Sequence, residues 1–132
     1  MTDLIPESHL DLLGDEMPVV AALATLMPDG SPQVTPVWFD REGDLIRVNT
    51  VRGRVKERNM SARPKVALTV VDPDDMFRHL QIRGEVAGST EEGAHAHIRA
   101  LSQKYTGHDF RPLNPGEVRV IFKIRPTSAT FQ

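Results

Sequence analysis

The sequence predicts a mainly β (α+β) fold, a six-stranded antiparallel barrel with flanking helices, in a single domain over residues 1–132. Three observations point there. Short apolar runs follow one another across tight turn signals, as in an antiparallel meander. Several runs alternate apolar and polar residues with the period of a half-buried strand. Only two or three segments show helical spacing.

Residues 7–15 suit a short helix with Leu10, Leu12 and Leu13 as its contacts. "VVAALATLM", residues 19–27, is apolar throughout and reads as a buried strand. "PDGS" at 28–31 is a turn, and "PQVTPVWFD" follows as a second strand, in which Pro36 marks an edge or a bulge. After the turn "REGD", "LIRVNT" sets Leu45, Arg47 and Asn49 on one face against Ile46, Val48 and Thr50 on the other. A helix over 52–62 places Val55, Asn59 and Ala62 on one side and stops at Pro64. "KVALTVVD" and "FRHLQIRGEVAGS" are the fourth and fifth strands, Gly84 marking a bulge in the latter. A helix follows, with Ser89 or Thr90 as its N-cap, Ala94, Ile98, Leu101 and Tyr105 at helical spacing, and Gly107 as its stop. "EVRVIFKIRPTSATF" is the sixth strand, its Val118, Val120, Phe122 and Ile124 turned inward.

The 132 residues, 39% hydrophobic and 26% charged, are ordinary for a soluble globular domain. No apolar run approaches the roughly 18 residues that would suggest a membrane span, and the acidic start lacks the pattern of a signal peptide. With no cysteine there is no disulfide framework and no thiol nucleophile, so a cytoplasmic protein is expected. A net charge of −2 argues against nucleic-acid binding. That charge is unevenly spread: residues 47–65 carry seven cations against Glu57 alone, a net +6, which leaves the remainder at −8.

His95 and His97, two apart on a helix, point to different sides and share no metal-binding face. No nucleophile elbow, P-loop or glycine-rich dinucleotide fingerprint is present. What stands out is "VNTVRGRVKERNM", residues 48–60, which passes from a strand into a helix. Arg52, Arg54 and Lys56 fall where the helix dipole is already positive, an arrangement that costs roughly 0.3–1 kcal/mol per cation. A bound anion would reverse that balance, because free helix amides and charge-assisted bonds of about 1.5–3 kcal/mol each outweigh the dipole term.

The order of these features is similar to that of a known family. The segment "LATLMPDGSPQVTPVWFDREGDLIRVNTVRGRVKERNMSARPKVALTVVDP…FRHLQIRGEV" resembles the flavin/deazaflavin oxidoreductase superfamily related to pyridoxamine 5′-phosphate oxidase, and most of all its coenzyme F420 branch. The resemblance covers roughly residues 18–126. It implies a split β-barrel of the FMN-binding type, working as a homodimer with cofactor sites at the interface. By position, Arg54 and Lys56 would hold the cofactor phosphate, while Asn49 and Thr50 would line the ribityl chain. Gln33, Thr35, Pro36, Val37 and Trp38 would lie beside the ring. Phe77, Arg78 and His79 would come from the second subunit, with His79 a candidate proton donor. The chain ends "RPTSATFQ", without the arginine and histidine residues that the oxidase uses for its phosphorylated substrate, so pyridoxamine phosphate oxidation is not expected.

The expected activity is therefore hydride transfer between F420 and a conjugated small molecule, with no catalytic nucleophile required of the protein. The alternatives are an FMN-dependent oxidoreductase or a non-enzymatic flavin or haem carrier. F420 is favoured over FMN because its longer polyanionic tail needs further cations, which Arg52, Arg58 and Arg78 would supply.

Overall fold

The computed structural model describes residues 4–132; the first three residues of the predicted domain lie outside the described part. A 3₁₀ helix, Glu7–Leu13, leads into β1 (Ala21–Leu26), β2 (Pro32–Val37), β3 (Phe39–Glu42) and β4 (Leu45–Val51). Helix α1 (Val55–Ala62) precedes β5 (Lys65–Asp72) and the long β6 (Asp75–Thr90), and α2 (Ala94–Thr106) precedes β7 (Arg119–Phe131). All pairings are antiparallel, in the order β2-β1-β5-β6-β7-β4-β3.

Seven strands replace the six read from the sequence, and Trp38 is the reason. The predicted second strand breaks there: residues before it pair with β1 and residues after it with β4. The two edge strands of the sheet are thus halves of one bent segment, and the sheet curls until its edges meet at Trp38. Val37 and Phe39 keep the same parity and are buried in the core, so Trp38 between them faces outward. Pro36 sits on β2, an edge strand, where its missing N–H removes no central ladder bond.

The interior is filled by the inward residues of each strand, among them Leu23, Phe39, Val48, Leu68, Ile82 and Phe122. Strand β4 alternates as expected, Ile46, Val48 and Thr50 being buried and Leu45, Arg47 and Asn49 half-buried on the outer side. On β7 the predicted Val120, Phe122 and Ile124 are core residues, but Val118 precedes the strand and is exposed. Ile121, of opposite parity, is buried as well, because α2 covers the outer face of the sheet with Ala94, Ile98 and Leu101. Gly84 does mark an irregularity of β6: the register shifts beside it, and a Cβ there would meet Arg125 O at 2.7 Å.

The helix ends differ in detail from expectation. Arg52 and Gly53 form a turn ahead of α1, with Gly53 at φ +98°, and the buried α1 residues are Glu57, Asn59 and Met60 rather than Ala62. Helix α2 starts after Gly93, not after Ser89 or Thr90, whose Oγ1 instead caps the turn at Glu92 N–H (3.1 Å). Gly107 closes it in the left-handed region.

Candidate functional site

The turn from β4 into α1 prepares an anion site. Arg54 is the N-cap, in an extended conformation (φ −71°, ψ 155°), and its side chain caps nothing. Lys56 is the second residue of the helix. The carboxylate expected to neutralise this end is turned away: Glu57 accepts from Gly53 N–H (2.8 Å) and Ser61 Oγ (2.7 Å), and these bonds hold it ionised below its ordinary range. The amides of Val55, Lys56 and Glu57 have no i−4 acceptor, and no side chain among the described residues bonds to them.

Arg54 and Lys56 open onto a cleft of about 390 Å³, within the range of small-molecule sites. One end is cationic, lined by Arg54, Lys56, Arg111 and Arg119. Trp38 and Phe110 contribute aromatic walls, and Ile98 and Leu101 of α2 supply apolar surface. Tyr105 of α2 stacks on Trp38, with ring centroids 5.3 Å apart and planes 6° from parallel. Two guanidiniums lie over the Phe110 ring, Arg111 at 4.8 Å and Arg119 at 5.2 Å from its centroid.

Lys56 carries the electrostatic signature of the cleft. Its ammonium is pushed below the ordinary lysine range first by burial, then by Arg54 and Arg119 nearby. Among the described residues neither Lys56 nor Arg54 has a carboxylate partner, and Glu117, which serves both Arg111 and Arg119, is the carboxylate engaged at this end.

Behind the cleft runs a hydrogen-bonded chain. Asn49 accepts from Arg119 Nε (2.9 Å) through Oδ1, while its Nδ2 donates to Ala94 O (2.9 Å) and to His97 Nδ1 (3.0 Å). His97 Nε2 then donates to Asp40 Oδ1 (3.0 Å), and Asp40 takes two bonds from Arg47 (2.9 and 2.7 Å). Burial raises the Asp40 carboxyl, but His97 and Arg47 together outweigh it and hold the value at about 2.

Of the residues read from the sequence, Pro36, Val37, Trp38, Asn49, Arg54 and Lys56 line this cleft. Gln33 and Thr35 share the inward face of β2: Gln33 Oε1 accepts from Thr25 Oγ1 (3.2 Å), and Thr35 Oγ1 is buried without a partner. Thr50 also points into the barrel, because it shares the parity of Ile46 and Val48, and its Oγ1 is buried and unpartnered there. Arg52 is not the free cation expected, since Glu91 accepts from it at 2.9 Å and Glu57 lies at 3.6 Å. Arg78 is likewise occupied, bridging Asp11 and Asp72. Phe77, Arg78 and His79 start β6 and do not line the cleft of their own chain.

Sequence reasoning missed Asp40, His97, Tyr105, Phe110, Arg111 and Arg119 as parts of this site. His97 left one trace, a polar residue beside Ile98 on the apolar side of α2. Arg111 and Phe110 lie in an irregular segment with no period to read.

Comparison with known proteins agrees with this architecture. A family profile described as pyridoxamine 5′-phosphate oxidase matches residues 9–132. Among solved structures, one named F420 reductase is 37% identical, covers 96% of this chain and 98% of its own, and superposes with a TM-score of 0.86. A conserved hypothetical protein from Mycobacterium tuberculosis is 22% identical over 98% of this chain and 86% of its own, with a TM-score of 0.73. HupZ of Group A Streptococcus shares the fold at 17% identity, over 96% and 93% of the two chains, with a TM-score of 0.70. No curated protein sequence matches. With the profile spanning nearly the whole length and the curled antiparallel sheet in place, the chain belongs to the pyridoxamine 5′-phosphate oxidase family, within the superfamily of flavin and deazaflavin oxidoreductases built on the split β-barrel.

Proposed function

We propose that the protein is an F420-dependent oxidoreductase that works as a reductase on a conjugated small molecule. The observation that carries this reading is the pair Arg54 and Lys56, two cations without carboxylate partners beside free helix amides, at one end of an aromatic-walled cleft. The residues fit a phosphorylated deazaflavin. The α1 amides, Arg54 and Lys56 suit a phosphate, and the wall formed by Trp38, with Tyr105 behind it, suits a planar ring. The neighbour named F420 reductase supports the choice of cofactor.

Bound there, a reduced deazaflavin supplies a hydride to an electrophilic substrate. The chain itself has three tasks. Arg54 and Lys56 hold the anion and so fix the position of the ring along the cleft. Ile98, Leu101 and Phe110 keep water from the apolar end. His79, contributed by a second copy, is the candidate proton donor: its Nδ1 faces the Phe77 carbonyl at 3.3 Å, which leaves Nε2 for exchange. The second copy docks through exposed apolar residues around the β5–β6 turn, chiefly Met76 (75% exposed) and Phe77 (71%).

A second reading, with FMN as the cofactor, is favoured by the ion pairs of Arg52 and Arg78. Two of the three cations assigned to the longer F420 tail are engaged elsewhere in the chain. Arg58 is exposed and stays available, and the exposed Arg52–Glu91 pair is weak enough, at about 0–1 kcal/mol, for a polyanion to displace. Parallel titration with F420 and FMN separates the readings. F420 should bind tighter by about ten-fold or more, roughly 1.4 kcal/mol. Stoichiometric FMN in the purified protein with no F420 binding would establish the FMN reading instead.

A further inference from the structure

We propose that Arg119 is an anion-binding residue of the cleft, and that Asp40, His97 and Asn49 are positioning residues that aim it. The inference rests on the functional reading above, which assigns the anion to a cofactor phosphate, but its geometry is independent of the cofactor's identity.

Arg119 is 7% exposed, yet it lines the cleft. Its Nε donates to Asn49 Oδ1 and its Nη1 to Glu117 Oε2, both at 2.9 Å. Its Nη2 has no hydrogen-bond partner among the described residues. The guanidinium is close enough to Lys56 to disfavour charge on it, and Glu117 accepts from Arg111 on both oxygens while sharing Oε2 with Arg119. The four cations of the cleft, Arg119 buried, Lys56 half-buried and Arg54 and Arg111 exposed, have one carboxylate among them, and an anion on Arg54 and Lys56 lies within the field of Arg119.

The direction of every bond behind Arg119 is forced. The Ala94 carbonyl can only accept, so the NH₂ of Asn49 must face it, and the same NH₂ faces His97 Nδ1. The oxygen of Asn49 is therefore left for Arg119. His97 Nδ1 must accept, so its proton lies on Nε2 and is donated to Asp40. Asp40 is fixed in turn by Arg47. Four elements, β3, β4, α2 and β7, thus converge on the orientation of one guanidinium. A network that only fastened α2 to the sheet would not require any of its members to end in the cleft.

The test uses the purified full chain and two probes, inorganic phosphate and coenzyme F420. Arg119→Lys keeps the charge and loses the planar fork, and should weaken both probes ten-fold or more. His97→Leu removes the acceptor for Asn49 and should weaken both several-fold. His97→Gln, whose amide oxygen and NH₂ replace Nδ1 and Nε2–H, should restore binding to within two-fold of wild type. Wild-type affinities in Arg119→Lys, or equal losses in Leu and Gln variants, overturn the proposal. Should a variant fail to fold, phosphate added to the wild-type protein must shift the assigned NMR signals of Arg119 Nε–H and the Asn49 side-chain amide, and unmoved signals overturn it. If phosphate and Arg119 behave as stated but F420 does not bind, the functional reading falls and this one stands.

Discussion

Tyr105 holds Trp38 in place: their rings stack at 5.3 Å, and the Tyr105 hydroxyl donates to Val19 O (2.8 Å) while accepting from Phe39 N–H (3.3 Å). The residue that breaks the edge of the barrel is therefore clamped by a helix that begins some fifty residues later. Tyr105→Phe keeps the stack and loses the hydroxyl, and should cost about 1–2 kcal/mol in denaturant melts, the sum of two ordinary net hydrogen bonds. Tyr105→Ala also removes the stack and should cost more, about 3 kcal/mol. Burial pushes the phenol up to about 12, so the folded chain retains this proton where an unfolded one has lost it. Stability should fall as pH rises from 10 toward 12, and Tyr105→Phe should flatten that part of the profile.

Arg54, Lys56 and Arg63 belong to one helix and should separate into two roles. Arg54→Ala and Lys56→Ala should each weaken F420 binding by about 1.5–3 kcal/mol and leave the melting temperature nearly unchanged, because neither cation has a partner whose loss destabilises the fold. Arg63 differs: its Nε donates to Leu26 O (2.7 Å) and its Nη2 to Asn59 Oδ1 (3.1 Å). Arg63→Ala should therefore lose about 1–2 kcal/mol in stability and leave cofactor affinity intact. Calorimetry beside a binding titration reads both quantities.

Asp40 should make the fold acid-sensitive. Its folded value of about 2 lies below the 3.8 of an unperturbed aspartate, so its contribution is present above pH 4 and lost as pH falls from 3.8 toward 2. Asp40→Asn should be less stable than wild type at pH 6 and converge with it near pH 2. A constant gap across melts at closely spaced pH values would show that the charge is not the cause.

Met76 and Phe77 should govern assembly. Phe77→Asp places a charge in the exposed apolar patch and should shift the protein from dimer to monomer in light scattering at micromolar concentration. Wild-type protein that is already monomeric there would remove the basis for a shared site.

The sequence by itself determined what is local. The alternation of β4, the turn at Asp29–Gly30, the close of α2 at Gly107 and the cationic start of α1 all rest on backbone preferences and periods that a short window contains. Tertiary structure decided which of the cations are free. Arg52 and Arg78 read as available in the sequence, yet the fold brings Glu91, 39 residues away, to Arg52 and Asp11, 67 residues away, to Arg78, beside the nearer Glu57 and Asp72. The reverse holds for Arg119, an alternating residue of an ordinary strand until β4 brings Asn49 beside it across 70 residues of chain. Charge is a property of the residue, but the freedom of that charge to meet a ligand depends on every group the fold places within a few ångströms of it.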